Sequence, residues 1–414
     1  MARPKLLLDL TPLRRSRDFR ILFGAQMVST LGTQLTLVAV PYQVYLLTRS
    51  SLDVGLVSLA QLLPLLFCSL IGGAVADAHD RRRLLLVVEL LQAAASVGLA
   101  INGGLAHPSL WPMFAFTAMA GGLAGFDRPA YNASIPLLVE RPFLSAAYAL
   151  WQVQIQVGAV AGPAVAGLLL SGAGVSTVYW LDVASYGVAF AGAMALRPIP
   201  PAAGSRPAGL RSVVEGLAFL RGRPSIQGIY LLDINAMVFG MPRALFPALG
   251  VGVFHGGAQA VGFLYAGPGV GALIGALTTG WVAGVRRQGW AVIVSVAIWG
   301  AAIAAFGAVP WLAVAIALLA VAGWADVISA VFRNTILQSS VPDRLRGRLS
   351  ALQIAVVQGG PRLGDLEAGA VADGLGTAVS VISGGLACVA GALVLAAVLP
   401  GFRRYDAATV TVEA

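Results

Sequence analysis

Long apolar stretches make up most of this chain, and polar residues fall mainly in the short segments between them. A helix needs about 20 apolar residues to cross the hydrocarbon core of a bilayer, and we count about twelve stretches of that length. They begin near Ile21, Val54, Leu84, Trp111, Leu144, Val175, Ile226, Ala258, Trp290, Leu312, Leu349 and Ala378. Their continuous apolar character excludes the alternating pattern of membrane β-strands. The pattern therefore predicts an all-α membrane protein with twelve transmembrane helices.

Composition and charge agree with this prediction. The chain of 414 residues is 58% hydrophobic and only 11% charged, which excludes a water-soluble globular protein. Lys and Arg concentrate in the N-terminal segment, the even-numbered loops and the tail, as short cytoplasmic segments do. We expect both termini to be cytoplasmic in a bacterial inner membrane. The net charge of +9 then reflects topology and contact with membrane lipids, and we expect no nucleic-acid partner.

Two halves are visible along the chain. A proline-rich break near Pro198–Pro207 separates six spans from six others, and a short amphipathic piece, Leu210–Leu220, follows it. We predict an N-terminal six-helix bundle over 1–196, a cytoplasmic linker over 197–224, and a C-terminal six-helix bundle with a short tail over 225–414.

A repeated motif supports this division. Arg141-x-x-Leu144-Ser-Ala recurs as Arg346-x-x-Leu349-Ser-Ala, nearly half the chain later, which indicates an internal duplication. Transporters built from such repeats bind substrate near the membrane midplane and work by alternating access.

Two motifs resemble signatures of the major facilitator superfamily. The segment Gly72-Gly-Ala-Val-Ala-Asp77-Ala-His-Asp-Arg81-Arg-Arg83 resembles its loop between spans 2 and 3, and Gly162-Pro163 in span 5 resembles a signature of its exporters and antiporters. Acids and arginines so close together can form a charge network, and an interior proline bends a helix. A solvated loop of topological charge is the alternative for the first motif. The predicted gating residues are Gly73, Asp77, Asp80, Arg81, Arg82, Arg83, Gly162 and Pro163.

A resemblance to the siderophore exporters of that superfamily covers most of the chain. It is carried by Val38-Ala-Val-Pro41-x-Gln43, Arg243-x-Leu-x-Pro247-Ala-Leu249, Gly262-Phe-Leu-Tyr-Ala266 and Gly364-Asp365. It implies the major facilitator fold and proton-driven export of a siderophore or similar amphipathic secreted metabolite. Because related proteins include multidrug and macrolide efflux antiporters, that function is the alternative.

Charged residues inside the apolar spans are the candidate site. Such residues cost about 2.5 to 3.5 kcal/mol each on insertion scales and usually serve a function. As proton-coupling residues we predict Asp365, Asp326, Glu367 and Asp233. As substrate-binding residues we predict Arg243, Arg333, Arg128, Arg362, Gln43, Asn235, Gln152, Gln156 and Trp324. A static pair is the alternative for Arg362 with Asp365, and we expect Glu89 and Asp182, near span ends, to be structural.

Other classes of protein lack support in the sequence. His79, His107 and His255 fall at loops or span ends, so no metal site or catalytic base is evident at depth, and no nucleotide-binding glycine loop occurs. We therefore expect no enzyme and no cofactor. The predicted partners are a small-molecule substrate, protons and membrane lipids, and we expect a monomer. A lipid flippase or an intramembrane enzyme is the interpretation left outside transport.

Overall fold

The computed structural model of the protein describes residues 9–200, 218–341 and 343–406, and these residues form α-helices. In the first half the helices are α1 Thr11–Arg15, α2 Arg17–Thr48, α3 Ser51–Ala78, α4 Arg81–Gly104, α5 Leu110–Leu138 and α6 Leu144–Ala195. In the second half they are α7 Pro224–Phe239, α8 Gly257–Leu277, α9 Gln288–Phe306, α10 Leu312–Ser340, α11 Asp343–Leu375, α12 Thr377–Val398 and α13 Pro400–Arg403.

A long helix lies at each of the twelve predicted positions. The long α6 contains predicted spans 5 and 6, joined at Gly174, whose φ of 79° interrupts the helical backbone. Only glycine adopts such a φ without a steric cost. Among the described residues, nine helical segments are long and apolar enough to cross a membrane, with the whole of α6 counted as one.

Contacts divide the chain into two compact units. The N-terminal unit comprises residues 1–43 and 60–209, and the C-terminal unit comprises residues 44–59 and 210–414. The predicted linker over 197–224 falls largely outside the described residues, as does most of its amphipathic piece. The start of α3 belongs to the C-terminal unit, where Gly55 and Gly369 allow α3 and α11 to approach at backbone distance.

Glycines four residues apart, as in Gly158-x-x-x-Gly162 and Gly267-x-x-x-Gly271-x-x-x-Gly275, predict that helices pack closely. In the N-terminal unit, a Cβ added at Gly158 or Gly162 of α6 would meet the side chains of Thr30 and Gln34 on α2. In the C-terminal unit, Gly271 of α8 lies directly against the backbone of Ala320 on α10. The predicted close helix packing is confirmed at these positions.

The seventh span is not a continuous helix. Its regular part ends at Phe239, and residues 240–242 are not helical. A 3₁₀ turn at Arg243–Leu245, one α-turn at Phe246–Ala248 and a π-helical turn at Leu249–Val253 follow. Pro242 and Pro247 lack a backbone N–H, which favours such breaks. The interruption exposes backbone polar groups in the middle of the C-terminal unit.

Candidate functional site

A network of charged and polar side chains joins three helices of the C-terminal unit. Arg333 of α10 donates through Nη1 to Asp233 of α7 in a short buried ion pair. Gln353 of α11 donates to the other oxygen of Asp233 at 2.6 Å. The Nη2 atom of Arg333 lies 3.6 Å from Asp326, which is two turns earlier on the same face of α10. Two carboxylates thus share one guanidinium.

The two acids of this network differ in exposure. The side chain of Asp233 is 0% exposed, whereas that of Asp326 is 32% exposed. With one arginine between them, the fully ionised network carries an excess negative charge, which is costly in a low-dielectric interior. A proton or a cationic group on the more accessible acid removes that excess. Asp326 is therefore the member of the network that is best placed to exchange a proton.

Asp326 also faces a cavity of about 40 Å³ in the C-terminal unit. The cavity opens beside the interruption of the seventh span, so Arg243 contributes to its wall together with Asp326. Its apolar walls include Met241, Phe246, Trp299, Ile303 and Leu319. Aromatic and aliphatic walls with two opposite charges are typical of sites for amphipathic molecules, and in this conformation the cavity has room for only a small part of such a molecule.

Arg243 has bonding capacity left for a ligand. Its carbonyl accepts a hydrogen bond from the hydroxyl of Tyr265 at 3.0 Å, which fixes the backbone. Its guanidinium interacts electrostatically with Asp365, and its buried Nε has no hydrogen-bond partner. An arginine held in this way has guanidinium N–H groups left that can donate to an anionic group.

Asp365 connects α11 to the interruption of the seventh span. This buried carboxylate accepts a hydrogen bond from the backbone N–H of Ala244 at 3.0 Å. Arg362, three residues earlier, interacts electrostatically with it and donates to the carbonyl of Gln358 at 2.5 Å. Glu367 is half-buried on the same helix. Protonation of Asp365 would weaken the hydrogen bond that it accepts from Ala244 in the interrupted part of the seventh span.

Several other predicted substrate contacts have partners within their own unit. The amide of Asn235 donates to the carbonyl of Cys388 at 2.8 Å and so ties α7 to α12. Gln43 accepts from the hydroxyl of Tyr179 at 2.8 Å, and the indole of Trp324 donates to Thr278 at 3.1 Å. These three residues contribute to helix packing in this conformation.

The remaining predicted contacts lie in the N-terminal unit. Arg128, which the sequence suggested to be buried, has an exposed side chain next to Asp127. Gln152 is exposed and Gln156 is half-buried on α6. The buried glutamine of this segment is Gln154, which donates to Thr30 at 3.0 Å. Helix phase explains the difference, because 152 and 156 share a face that 154 does not.

The predicted gating loop is bonded within the N-terminal unit. Asp80 caps the start of α4 by accepting from the backbone N–H of Arg82 at 2.9 Å. Arg81 is buried, lies 3.5 Å from Asp77 and donates to the carbonyl of Pro200 at 3.0 Å. Arg82 donates to the carbonyls of Ala193 and Met194 at the end of α6, and Arg83 is exposed.

Several members of the buried polar clusters were not predicted from the sequence. Gln353 was not considered, although a glutamine in an apolar helix is a usable signal. Glu89 and Asp182 were expected near span ends, but both are buried within the N-terminal unit, with 3% and 1% exposure.

Comparison with known proteins identifies the family. A family model described as transmembrane secretion effector matches residues 8–411. The chain belongs to this family. It is 31% identical over 406 residues to the enterobactin exporter of Citrobacter koseri, covering 98% of this chain and 97% of that protein. It is 32% identical over 400 residues to the enterobactin exporter of an Escherichia coli strain, covering 96% and 95%.

A solved structure agrees with the fold of the transmembrane secretion effectors. A peptide transporter superimposes with a TM-score of 0.76 at 12% identity, covering 94% of this chain and 96% of that one. At this identity the likeness concerns the major facilitator fold alone. The resemblance to the superfamily predicted from the motifs is confirmed. The protein is an integral multi-pass membrane transporter of the exporter type and not an enzyme.

Proposed function

We propose that this secretion effector is a proton-coupled exporter of a siderophore-like or amphipathic secreted metabolite. It works by alternating access in the bacterial inner membrane, with both termini in the cytoplasm. The similarity to the enterobactin exporters supports a secreted metabolite as substrate. The charged residues of the C-terminal unit support coupling to protons.

The observation that carries this proposal is the position of Asp326. It lines the cavity together with Arg243, and it lies 3.6 Å from an arginine that is already bonded to Asp233. An ion-pair network that opens into a ligand cavity makes the proton and the substrate compete for the same charges. Such competition is what an antiporter requires.

In the proposed cycle, the apolar body of the substrate lies against Phe246 and Trp299, and an anionic group on it engages Arg243. A hydroxyl or amine group of the substrate donates to Asp326 and so competes with a proton for this carboxylate. Substrate release lets a proton bind Asp326, which leaves Arg333 paired with Asp233 alone. A second proton position is Asp365, whose protonation weakens its bond to the N–H of Ala244. One proton that crosses 100 mV contributes about 2.3 kcal/mol to transport.

The alternative function is multidrug or macrolide efflux by the same mechanism. The apolar and aromatic walls of the cavity favour it, because they suit any ring-bearing amphipathic molecule. The two functions differ in substrate range and can be separated by the same transport assay.

The test measures substrate-dependent proton flux in proteoliposomes that carry a pH-sensitive dye. Enterobactin and a macrolide serve as substrates, and the proteins are the wild type, Asp326→Asn, Asp365→Asn and the control Glu140→Gln, whose carboxylate is exposed at the end of α5. We expect the wild type and the control to exchange protons for enterobactin. Asp326→Asn should bind substrate but lose at least tenfold in coupled flux. Normal coupling in both Asp variants would refute the proposal.

A further inference from the structure

One face of α2 carries a continuous line of polar side chains through the N-terminal unit. One of them makes a hydrogen bond to α5, and the other four make hydrogen bonds to α6. The pairs are Gln26 with Asp127 at 3.4 Å, Thr30 with Gln154 at 3.0 Å, Thr33 with Tyr186 at 3.0 Å, Thr36 with Asp182 at 2.7 Å, and Gln43 with Tyr179 at 2.8 Å. From Gln26 to Gln43 this polar face extends about 25 Å along the helix.

Asp182 lies on this line and is held by hydroxyl groups. It accepts hydrogen bonds from Thr36 and Ser96, each at 2.7 Å, and a longer one from Ser185 at 3.4 Å. Within the described residues it forms no ion pair. Serine and threonine hydroxyls can donate and accept, so they can pass a proton to or from the carboxylate.

Glu89 is a second acid beside this line. It lies on the same face of α4 as Ser96, seven residues away, and is 3% exposed. Its Oε2 atom has no hydrogen-bond partner, and it forms no ion pair among the described residues. It interacts electrostatically with both Asp127 and Asp182. Glu89 therefore lies near both acids, whose partners on α2, Gln26 and Thr36, are ten residues apart.

We propose that Glu89 is a further proton-binding site, located in the N-terminal unit and reached along the polar face of α2 through Asp127 and Asp182. A proton arrives at Glu89 from one of these two carboxyls and leaves to the other. The site is separate from the network of Asp233, Asp326 and Arg333. It rests on the proposed function, because only a proton-coupled exporter would use it in transport.

The surroundings of Glu89 favour a bound proton over a negative charge. An isolated buried carboxylate costs several kcal/mol, and two further acids nearby increase that cost. On α5, Asp127 interacts with the adjacent Arg128, and the buried hydroxyl of Tyr131 has no hydrogen-bond partner. On α6, Tyr186 is near all three acids. The unpartnered hydroxyl of Tyr131 and the Oε2 atom of Glu89 are two free positions at which a proton or a relaying water can bind.

The test compares wild type, Glu89→Gln and the exposed-acid control Glu140→Gln. Infrared difference spectroscopy in isotopically labelled lipid measures the stretch of protonated carboxyl groups, and proteoliposomes give the number of protons moved per substrate. We expect Glu89→Gln to lose one protonated-carboxyl band and to move about one proton fewer per substrate. The control should match the wild type in both.

If Glu89→Gln keeps the full protonated-carboxyl band, Glu89 binds no proton and the proposal is refuted. If Glu89→Gln moves as many protons per substrate as the wild type, the proton on Glu89 takes no part in transport, and the proposal is refuted as well. If Glu89→Gln does not fold, Glu89→Asp replaces it, and this variant should keep the band at a shifted frequency. Disappearance of the band in Glu89→Asp would overturn the proposal. If the wild type itself moves no protons, the proposed function fails, and the band alone then decides whether Glu89 binds a proton.

Discussion

The indole Nε1 of Trp299 on α9 donates to the carbonyl of Gly240 at 2.7 Å, where the regular part of the seventh span ends. This bond satisfies a backbone acceptor that the interruption has left without a helical partner. Trp299→Phe keeps the ring but leaves the buried carbonyl unpaired, so we expect a loss of about 1 to 3 kcal/mol in unfolding free energy.

Unfolding in detergent with increasing denaturant measures this loss. Trp290→Phe is the matched control, because Trp290 lies on the same helix and is exposed. Equal stability of the two variants would show that the Trp299 bond contributes nothing.

The ion-pair network predicts unequal effects of two similar substitutions. Asp233→Asn leaves the buried Arg333 without its short-range partner, which should cost about 3 to 5 kcal/mol of stability. Asp326→Asn removes only the 3.6 Å contact and relieves the excess charge, so its stability should stay within about 1 kcal/mol of the wild type. Thermal unfolding of both variants, followed by tryptophan fluorescence, measures the difference. The opposite order would mean that Asp326 is the main partner of Arg333.

Gly271 predicts how closely α8 and α10 pack. A Cβ at this position would collide with the backbone of Ala320, which cannot move as a side chain can. We expect Gly271→Ala to destabilise the protein by about 1 to 3 kcal/mol. Gly187→Ala in α6, where a Cβ would meet no atom within 4 Å, should be neutral or stabilising by up to about 1 kcal/mol. Denaturant titration in detergent compares the two, and equal effects would argue against the close approach.

The arginines in the first turn of α4 have distinct predicted effects. Arg81 is buried and bonded to Asp77 and to the carbonyl of Pro200, so Arg81→Ala should cost about 2 kcal/mol or more. Arg83 is exposed, and Arg83→Ala should change stability by less than about 0.5 kcal/mol. Limited proteolysis near residue 200 should accelerate only in Arg81→Ala. Equal cleavage of both variants would contradict the anchoring role of Arg81.

Much of the architecture could be predicted from the sequence, because hydropathy over 20 residues depends on composition alone. The positions of the long helices α2 to α12 follow from it, with predicted spans 5 and 6 both in α6, and the glycine spacing correctly predicted tight packing at Gly158, Gly162 and Gly271. The charges of the second half were also found, because Asp233, Asp326 and Arg333 stand out in apolar surroundings. Their roles as proton and substrate residues stay predictions.

Pairing between helices could not be predicted, because it depends on the rotation of each helix about its axis. Arg333 was expected to bind substrate, yet its short bond is to Asp233. Asn235 and Gln43 looked like cavity residues, but each faces a neighbouring helix. The burial of Glu89 and Asp182, which were expected to be structural, could not be predicted, because distance from a loop along the chain says little about burial when long helices pack around a residue. The break in the helix at Gly240 could have been predicted, since Gly240 and Pro242 lie within three residues of each other.

Part of the cavity beside this break is formed by Gly240, Pro242, Pro268, Ala322 and Gly323, which have no rotatable side chains. Proteins that accept many unrelated compounds tend to use flexible, methionine-rich surfaces that repack around each one. Glycine, proline and alanine side chains cannot change rotamer to fit different ligands. A molecule that binds this part of the cavity must therefore match its shape. The chemical range of exported compounds should accordingly be narrow and should change mainly through replacements at Met241, Phe246 and Leu319.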